Sequence, residues 1–318
     1  MKAAIVLGPN QPPVYGEFEE PAPQDGSAVV HVAASALSNA TRARATGSHY
    51  SMAGAFPLVP GIDGVGRTEA GERVAFLLPE APFGGMAEKT LVRHALCLPV
   101  PDNVSDVTAA AIINPGQSPI GALRVRAKLE PGEGVLINGA TGTTGQIAVQ
   151  IAKILGAGRV VATGRDARAL ARLRELGADD TVDLGAGAGA VQDALAAHFS
   201  NEGIGVVLDY LSGAPTEVVL AAIARGHKGA KTLRYVIAGT AASPTTGVPT
   251  SVLGSTSLVL MGSGIGAVRV PDIVRSATEA LRLAGSADLR IDLAELPLSQ
   301  VEEAWVTDHD RRRVVFTV

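Results

Sequence analysis

The 318-residue sequence holds a single cysteine, Cys97. One cysteine excludes an intrachain disulfide and any zinc site built from several thiolates. Charged residues are sparse as well, at 18%, and the net charge of −4 gives no basis for the basic face of a nucleic-acid binder. The opening residues, MKAAIVLGPNQPP, lack the apolar stretch of a signal peptide. From Tyr235 to Val268 charge disappears altogether, yet Pro244, Pro249 and six glycines interrupt that run. It therefore reads as buried strands joined by uncharged loops around a ligand, not as a membrane span. The expectation is a cytoplasmic protein that binds neither membrane nor nucleic acid.

What is present points to a well-folded chain. Hydrophobic residues make up 47% of the sequence, and the length suffices for two domains with separate cores. Glycine, at 37 residues, exceeds its usual share of about 7%. An excess of this kind suits tight turns and close backbone approaches. The first ~115 residues read as short strands, KAAIVL, AVVHVAAS, ERVAFLL and AEKTLVR, punctuated by proline and glycine. From about Pro119 apolar runs alternate with helical patterns, as a parallel sheet with crossover helices requires. The predicted strands are 135–138, 159–163, 180–184, 205–210, 235–239 and 257–262. Between the first two, apolar residues at 147, 148, 151, 154 and 155 mark one face of a helix. The closing RRRVVFTV predicts a strand that returns to the first domain.

The run VLINGATGTTGQIA carries glycines at 139, 142 and 145, after an apolar strand and before an apolar-faced helix. A G-x-x-G-x-x-G string alone means little, but in this context it lets the backbone approach a pyrophosphate at a helix N-terminus. Gly139, Thr141, Gly142, Thr143, Thr144 and Gly145 are the candidate phosphate-binding residues, the alternative being a plain glycine-rich turn. An NAD site usually places an acid at the end of the second strand, about 20 residues further on. Here VVAT runs into Gly164-Arg165, so glycine and then a guanidinium fill the place of the acid. Arg165, with Arg168 one turn on, suits the 2′-phosphate of NADPH, and Asp166 is placed to cap the next helix.

This order of features, with PGIDGVG at 60–66, LEPGEGVLINGATGTTGQIAVQIAKILGAGRVVATGR at 129–165 and LRELGADDTVDL at 173–184, resembles the medium-chain dehydrogenase/reductase superfamily. Within it the sequence is similar to the zinc-free quinone oxidoreductase and enoyl reductase branch. The resemblance implies an α/β fold: a GroES-like β-rich catalytic domain over 1–118 and 265–318, and a Rossmann nucleotide-binding domain, a doubly wound parallel sheet, over 119–264. It also implies an active site in the cleft and a homodimer. Zinc-dependent members use a catalytic cysteine and histidine plus a four-cysteine structural site, and this sequence has neither. In relatives the strand ends at Gly239-Thr240-Ala241 and Gly262-Ser263-Gly264 pass the nicotinamide, and a basic residue often stands near the cofactor at Arg312 or Arg313, at least one of which reads as a solvated surface cation. The stretch SNATRARATGSHY keeps an Asn and a final Gly-x-x-Tyr, but Arg42 stands where relatives often carry Asp.

Without zinc, a plain ketone lacks a charge stabiliser for its oxygen. An enone or quinone spreads the charge of the incoming hydride, and a few hydrogen-bond donors suffice. The expected reaction is NADPH-dependent reduction of a conjugated carbonyl or quinone. A metal-free carbonyl or alcohol dehydrogenase and a non-catalytic NADPH-binding redox sensor remain alternatives. Tyr50 is a candidate donor or an exposed loop residue, and Asn39 holds the nicotinamide side or caps a short helix. Tyr210 flanks the cofactor or packs at its strand end. His49 neighbours Tyr50, Asp63 braces a turn, and Cys97 and Trp305 belong to the core.

Overall fold

The computed structural model describes residues 1–46, 56–200, 203–228, 231–286 and 289–318. The chain folds as two units, Met1–Gln117 with Val274–Val318, and Ser118–Ile273. The N-terminal stretch forms β1 (Lys2–Ile5), β2 (Val14–Glu17), β3 (Ser27–Ala36), α1 (Asn39–Ala45), β4 (Asp63–Thr68), β5 (Arg73–Leu77), β6 (Lys89–Arg93) and β7 (Cys97–Pro99). Next comes α2 (Asp106–Ile120), prolonged by a π-helical turn over Gly121–Arg126.

The second unit alternates strand and helix: β8 (Gly134–Asn138), α3 (Thr143–Ile154), β9 (Arg159–Gly164), α4 (Ala167–Glu175), β10 (Asp180–Asp183), α5 (Ala188–Phe199), β11 (Val206–Asp209), α6 (Ala214–Gly226), β12 (Leu233–Ile237), α7 (Thr250–Ser255) and β13 (Leu258–Gly262). Its strands pair in parallel in the order β10-β9-β8-β11-β12-β13. Numbered from β8, that is 3-2-1-4-5-6, the doubly wound arrangement whose order reverses between β8 and β11. Side chains alternate between the two faces. Val135, Ile137, Val160 and Ala162 pack with Ala148, Ala152 and Leu173 on one face. Leu136, Val161, Val207 and Tyr235 pack with Leu195, Phe199 and Leu220 on the other. Each fully buried aliphatic contributes roughly 1.5–3 kcal/mol, and burial on both faces explains why these strands read as unbroken apolar runs.

The chain then runs through α8 (Val270–Ser286), β14 (Leu293–Pro297), α9 (Val301–Val306) and β15 (Arg313–Thr317). In the first unit β15 pairs antiparallel with β3, within a sheet ordered β14-β15-β3-β4-β5-β7 to which β6 adds through β3. That mixed sheet is antiparallel except where β14 joins β15. Its core gathers Leu37, Val59, Met86, Val301, Trp305 and Phe316. Cys97 is half-buried in β7, and burial, with Glu72 nearby, pushes its thiol up to about 11, which leaves it unreactive near neutral pH.

Candidate functional site

In the second unit β8, β9, β11, β12 and β13 all end on one edge, and the strand order reverses between β8 and β11, where sheets of this kind bind ligands in a crevice. The loop after β8 is held from below by β9. Buried Thr163 accepts the Gly139 amide on its hydroxyl (3.0 Å), donates that hydroxyl to Asn138 Oδ1 (2.7 Å) and accepts the Ala140 amide on its carbonyl (2.8 Å). Gly139 has φ +82°, a left-handed conformation, and a Cβ there would meet Leu211 at 2.6 Å. A Cβ on Gly145 would lie 2.5 Å from the Ala140 backbone, so α3 starts directly against the loop.

Gly142 differs from both. It is the N-cap of α3, with φ −80° and ψ 167°, which any residue adopts, and nothing lies within 4 Å of where its Cβ would be. No side chain caps this helix, and its first turn carries no acid. Neither backbone conformation nor protein packing asks for glycine there. An open cradle over uncapped amides is what a pyrophosphate needs, so the loop fits a dinucleotide.

At the end of β9, Gly164 is buried, and the exposed Arg165 and Arg168 meet no carboxylate or other acceptor among the described residues. Asp166 caps α4, accepting from the Ala169 amide at 2.7 Å. Two guanidinium groups are thereby left available for an anion beside the ribose position.

The end of β11 holds a group that sequence patterning missed. Asp209 is fully buried, and no cation faces it among the described residues. It accepts from Tyr235 Oη and Thr216 Oγ1 at 2.5 Å each, from the Leu211 amide at 2.7 Å and from the Ser212 amide at 3.4 Å. Burial, and then Asp209 itself, hold the Tyr235 hydroxyl well above the usual tyrosine range. The carboxylate thus fixes the loop Tyr210–Gly213 at the crevice. Ser212, with φ +59°, donates its hydroxyl to the Gly239 carbonyl (2.9 Å), and Ala241 donates to the Tyr210 carbonyl (3.1 Å). An acid closing the apolar run GVVLD was the available signal.

Tyr210 itself is a core residue: its ring joins the cluster of Val135, Ile137 and Leu208, and burial raises its hydroxyl above the ordinary value. Its backbone borders the neighbouring loop at Gly239 and Ala241. Gly239 lies where a Cβ would sit 2.7 Å from the Tyr210 carbonyl, while Thr240 and Ala241 are exposed. Beyond β13, Ser263 is buried and donates its amide to the Ile237 carbonyl (2.8 Å), and Arg126 holds the Gly262 carbonyl (2.7 Å). Gly264 accepts the amides of Ala267 and Val268.

In the first unit Asn39 is exposed at the start of α1 and does not cap it. Ser38 does, accepting from the Thr41 amide at 2.9 Å. Arg42 stacks on the Trp305 ring, 5.0 Å from its centroid, and donates to the Trp305 carbonyl, so it ties α1 to α9. Arg313, expected near a cofactor, is buried in its own unit, donating to the Leu37 carbonyl (2.8 Å) and lying 3.8 Å from buried Asp63. Burial raises the Asp63 carboxyl to about 6, with Arg313 opposing the rise. Tyr50 and His49 lie outside the described residues, and no group of three His, Cys, Asp or Glu side chains suited to a metal occurs among the described ones.

Residues 143–283 match the zinc-binding dehydrogenase family, over a stretch that in this chain contains no cysteine. A probable NADPH-dependent quinone reductase of Emericella nidulans is 28% identical over 96% of both chains. Quinone oxidoreductase-like protein 2 of Bos taurus is 29% identical over 76% of this chain and 67% of its own length. Among solved structures, the quinone oxidoreductase of Thermus thermophilus, described also in complex with NADPH, is 28% identical with a TM-score of 0.81, over 100% of both chains.

Proposed function

We propose that this chain, which belongs to the medium-chain dehydrogenase/reductase superfamily and to its quinone oxidoreductase branch, is an NADPH-dependent oxidoreductase that reduces a quinone or an α,β-unsaturated carbonyl without a metal. The observation that carries the cofactor is the pairing of an open glycine cradle at Gly142 with the unengaged Arg165 and Arg168. When bound, NADPH supplies a hydride from its nicotinamide ring. The chain's own residues hold and orient it. Amides of Thr143 and Thr144, at the start of α3, face its pyrophosphate, and Arg165 and Arg168 pair with the 2′-phosphate. The strand ends Gly239–Ala241 and Gly262–Gly264 offer backbone groups to the nicotinamide amide.

A conjugated acceptor follows from the single cysteine and the lack of ligand-spaced histidines. With no such cluster to polarise a simple ketone, the acceptor has to delocalise the charge itself, aided by donors such as Tyr50 and Asn39. The exposed edge strand β13, with Val259 44% and nearby Leu253 45% exposed, supports a homodimer. No helix among the described residues is long and apolar enough to cross a membrane. A cytoplasmic site of action is placed on the reading of the sequence alone.

The test is NADPH consumption with 9,10-phenanthrenequinone, an enone and an aldehyde in parallel, before and after chelation. Turnover of the first two, insensitive to chelator, is expected, and Tyr50→Phe should slow the enone roughly tenfold. Preference for the aldehyde, or loss on chelation restored by zinc, refutes the reading. No turnover with tight NADPH binding makes the chain a sensor.

A further inference from the structure

At the end of β9, Gly164 lies directly against Thr141 of the glycine loop. Gly164 is not among the left-handed glycines, so its backbone accepts any residue. Space is what excludes a side chain. A Cβ at 164 would lie 2.1 Å from Thr141 Cγ2, with Thr141 Cβ and Leu170 Cδ2 each at 3.3 Å. The Thr141 methyl therefore occupies the volume into which a side chain ending β9 would project, and that strand end is where an NAD site carries its acid.

Thr141 cannot readily withdraw. Its loop is fixed on one side by the Ala140 amide bonded to the Thr163 carbonyl (2.8 Å), and its own carbonyl accepts Gln146 Nε2 (3.1 Å). Gly145 is packed against the Ala140 backbone beneath it. A β-branched side chain also has few χ1 settings to choose from, and Leu170 closes the far side from the core.

We propose that Thr141 and Gly164 form a selectivity lock: the Thr141 methyl fills the position of the ribose-binding acid, and NADH recognition cannot be installed at β9 until Thr141 is shortened. The proposal rests on the reading of Arg165 as the 2′-phosphate partner and adds a second, steric determinant to it.

The experiment compares the parent with Thr141→Ala, Gly164→Asp and Thr141→Ala/Gly164→Asp, reading the Tm of ligand-free protein and the Kd for NADPH and NADH from nucleotide fluorescence. Gly164→Asp alone should lower the Tm by roughly 3–10 °C, as overpacking of a filled site does, and weaken both nucleotides at least about tenfold. The double variant should regain most of that Tm and bind NADH more tightly than NADPH. Should Gly164→Asp not fold, Gly164→Ala brings the same Cβ and completes the same cycle with Thr141→Ala. A Gly164→Asp protein as stable as the parent and already preferring NADH overturns the lock, as does a double variant no better than the single. An Arg165→Ala arm separates the two ideas. Equal losses for both nucleotides there would sink the 2′-phosphate reading, while the Tm coupling of Thr141 with Gly164 would still judge the contact.

Discussion

Replacing Asp209 by alanine would strand four donors at once, and their burial sets the cost. Tyr235 and Thr216 are fully buried, so water cannot replace the carboxylate at their hydroxyls, whereas the Leu211 amide is only partly buried and has a route to solvent, and the Ser212 contact, at 3.4 Å, is long enough to contribute little. A stranded buried donor costs about 1–3 kcal/mol, so two of them together give a loss of about 4 kcal/mol. For a unit of this size that corresponds to a Tm lower by roughly 8–16 °C. Asp209→Asn keeps the shape and one acceptor, and both hydroxyls can turn to accept from the new amide, so its loss should be roughly 1–2 kcal/mol. Tyr235→Phe costs about 1 kcal/mol in the parent but close to nothing in the alanine background, because it deletes a hydroxyl already stranded. Calorimetry of the ligand-free proteins at pH 7 reads all four. An Asp209→Ala protein melting within about 2 °C of the parent, or a Tyr235→Phe cost that adds in full, would refute the reasoning.

Gly142→Ala adds a methyl into open space at an ordinary φ, so the ligand-free Tm should stay within about 2 °C while NADPH affinity falls at least about tenfold. Unchanged affinity by fluorescence titration would mean that the space is not the phosphate cradle. Asp63 carries the pH dependence. Its folded value of about 6 lies above the ordinary 3.8. Its protonation therefore stabilises the fold fully below pH 3.8, and that contribution is lost as pH rises through 6. The amount is about 3 kcal/mol. In Asp63→Asn this component is absent, so the stability of the parent relative to the variant should decline between about pH 4 and 7. Parallel Tm curves across that range would show that Asp63 ionises freely.

How much of this was legible follows from the kind of pattern each feature leaves. The central parallel strands β8, β9 and β11 are buried on both faces, so they stand out as apolar runs, and the glycine loop and Asp166 cap are local motifs readable within a few residues. The Asp209 network is not local: its hydroxyl donors come from positions 216 and 235, on a helix and the neighbouring strand, and nothing periodic marks them. Arg313 reads as a surface cation in RRRVVFTV, yet its partner Asp63 lies 250 positions earlier, and only the pairing of β15 with β3 brings it inside. Asn39 and Ser38 differ by a single position, within the ordinary uncertainty of a helix boundary, so of the two readings of Asn39 the capping one falls one residue late. The clash that makes Gly164 a glycine likewise depends on a side chain 23 positions away.

The central claim, that this chain uses NADPH by reading its 2′-phosphate, meets its most direct test in the binding of NADPH and NADH to Arg165→Ala. Loss of one charge-assisted contact, at about 1.5–3 kcal/mol, corresponds to roughly 10–100-fold weaker NADPH binding, shrinking as salt is raised because Arg165 is exposed. NADH affinity should change less than about twofold, since it has no phosphate there. Equal weakening of the two nucleotides, or none of either, would contradict the account.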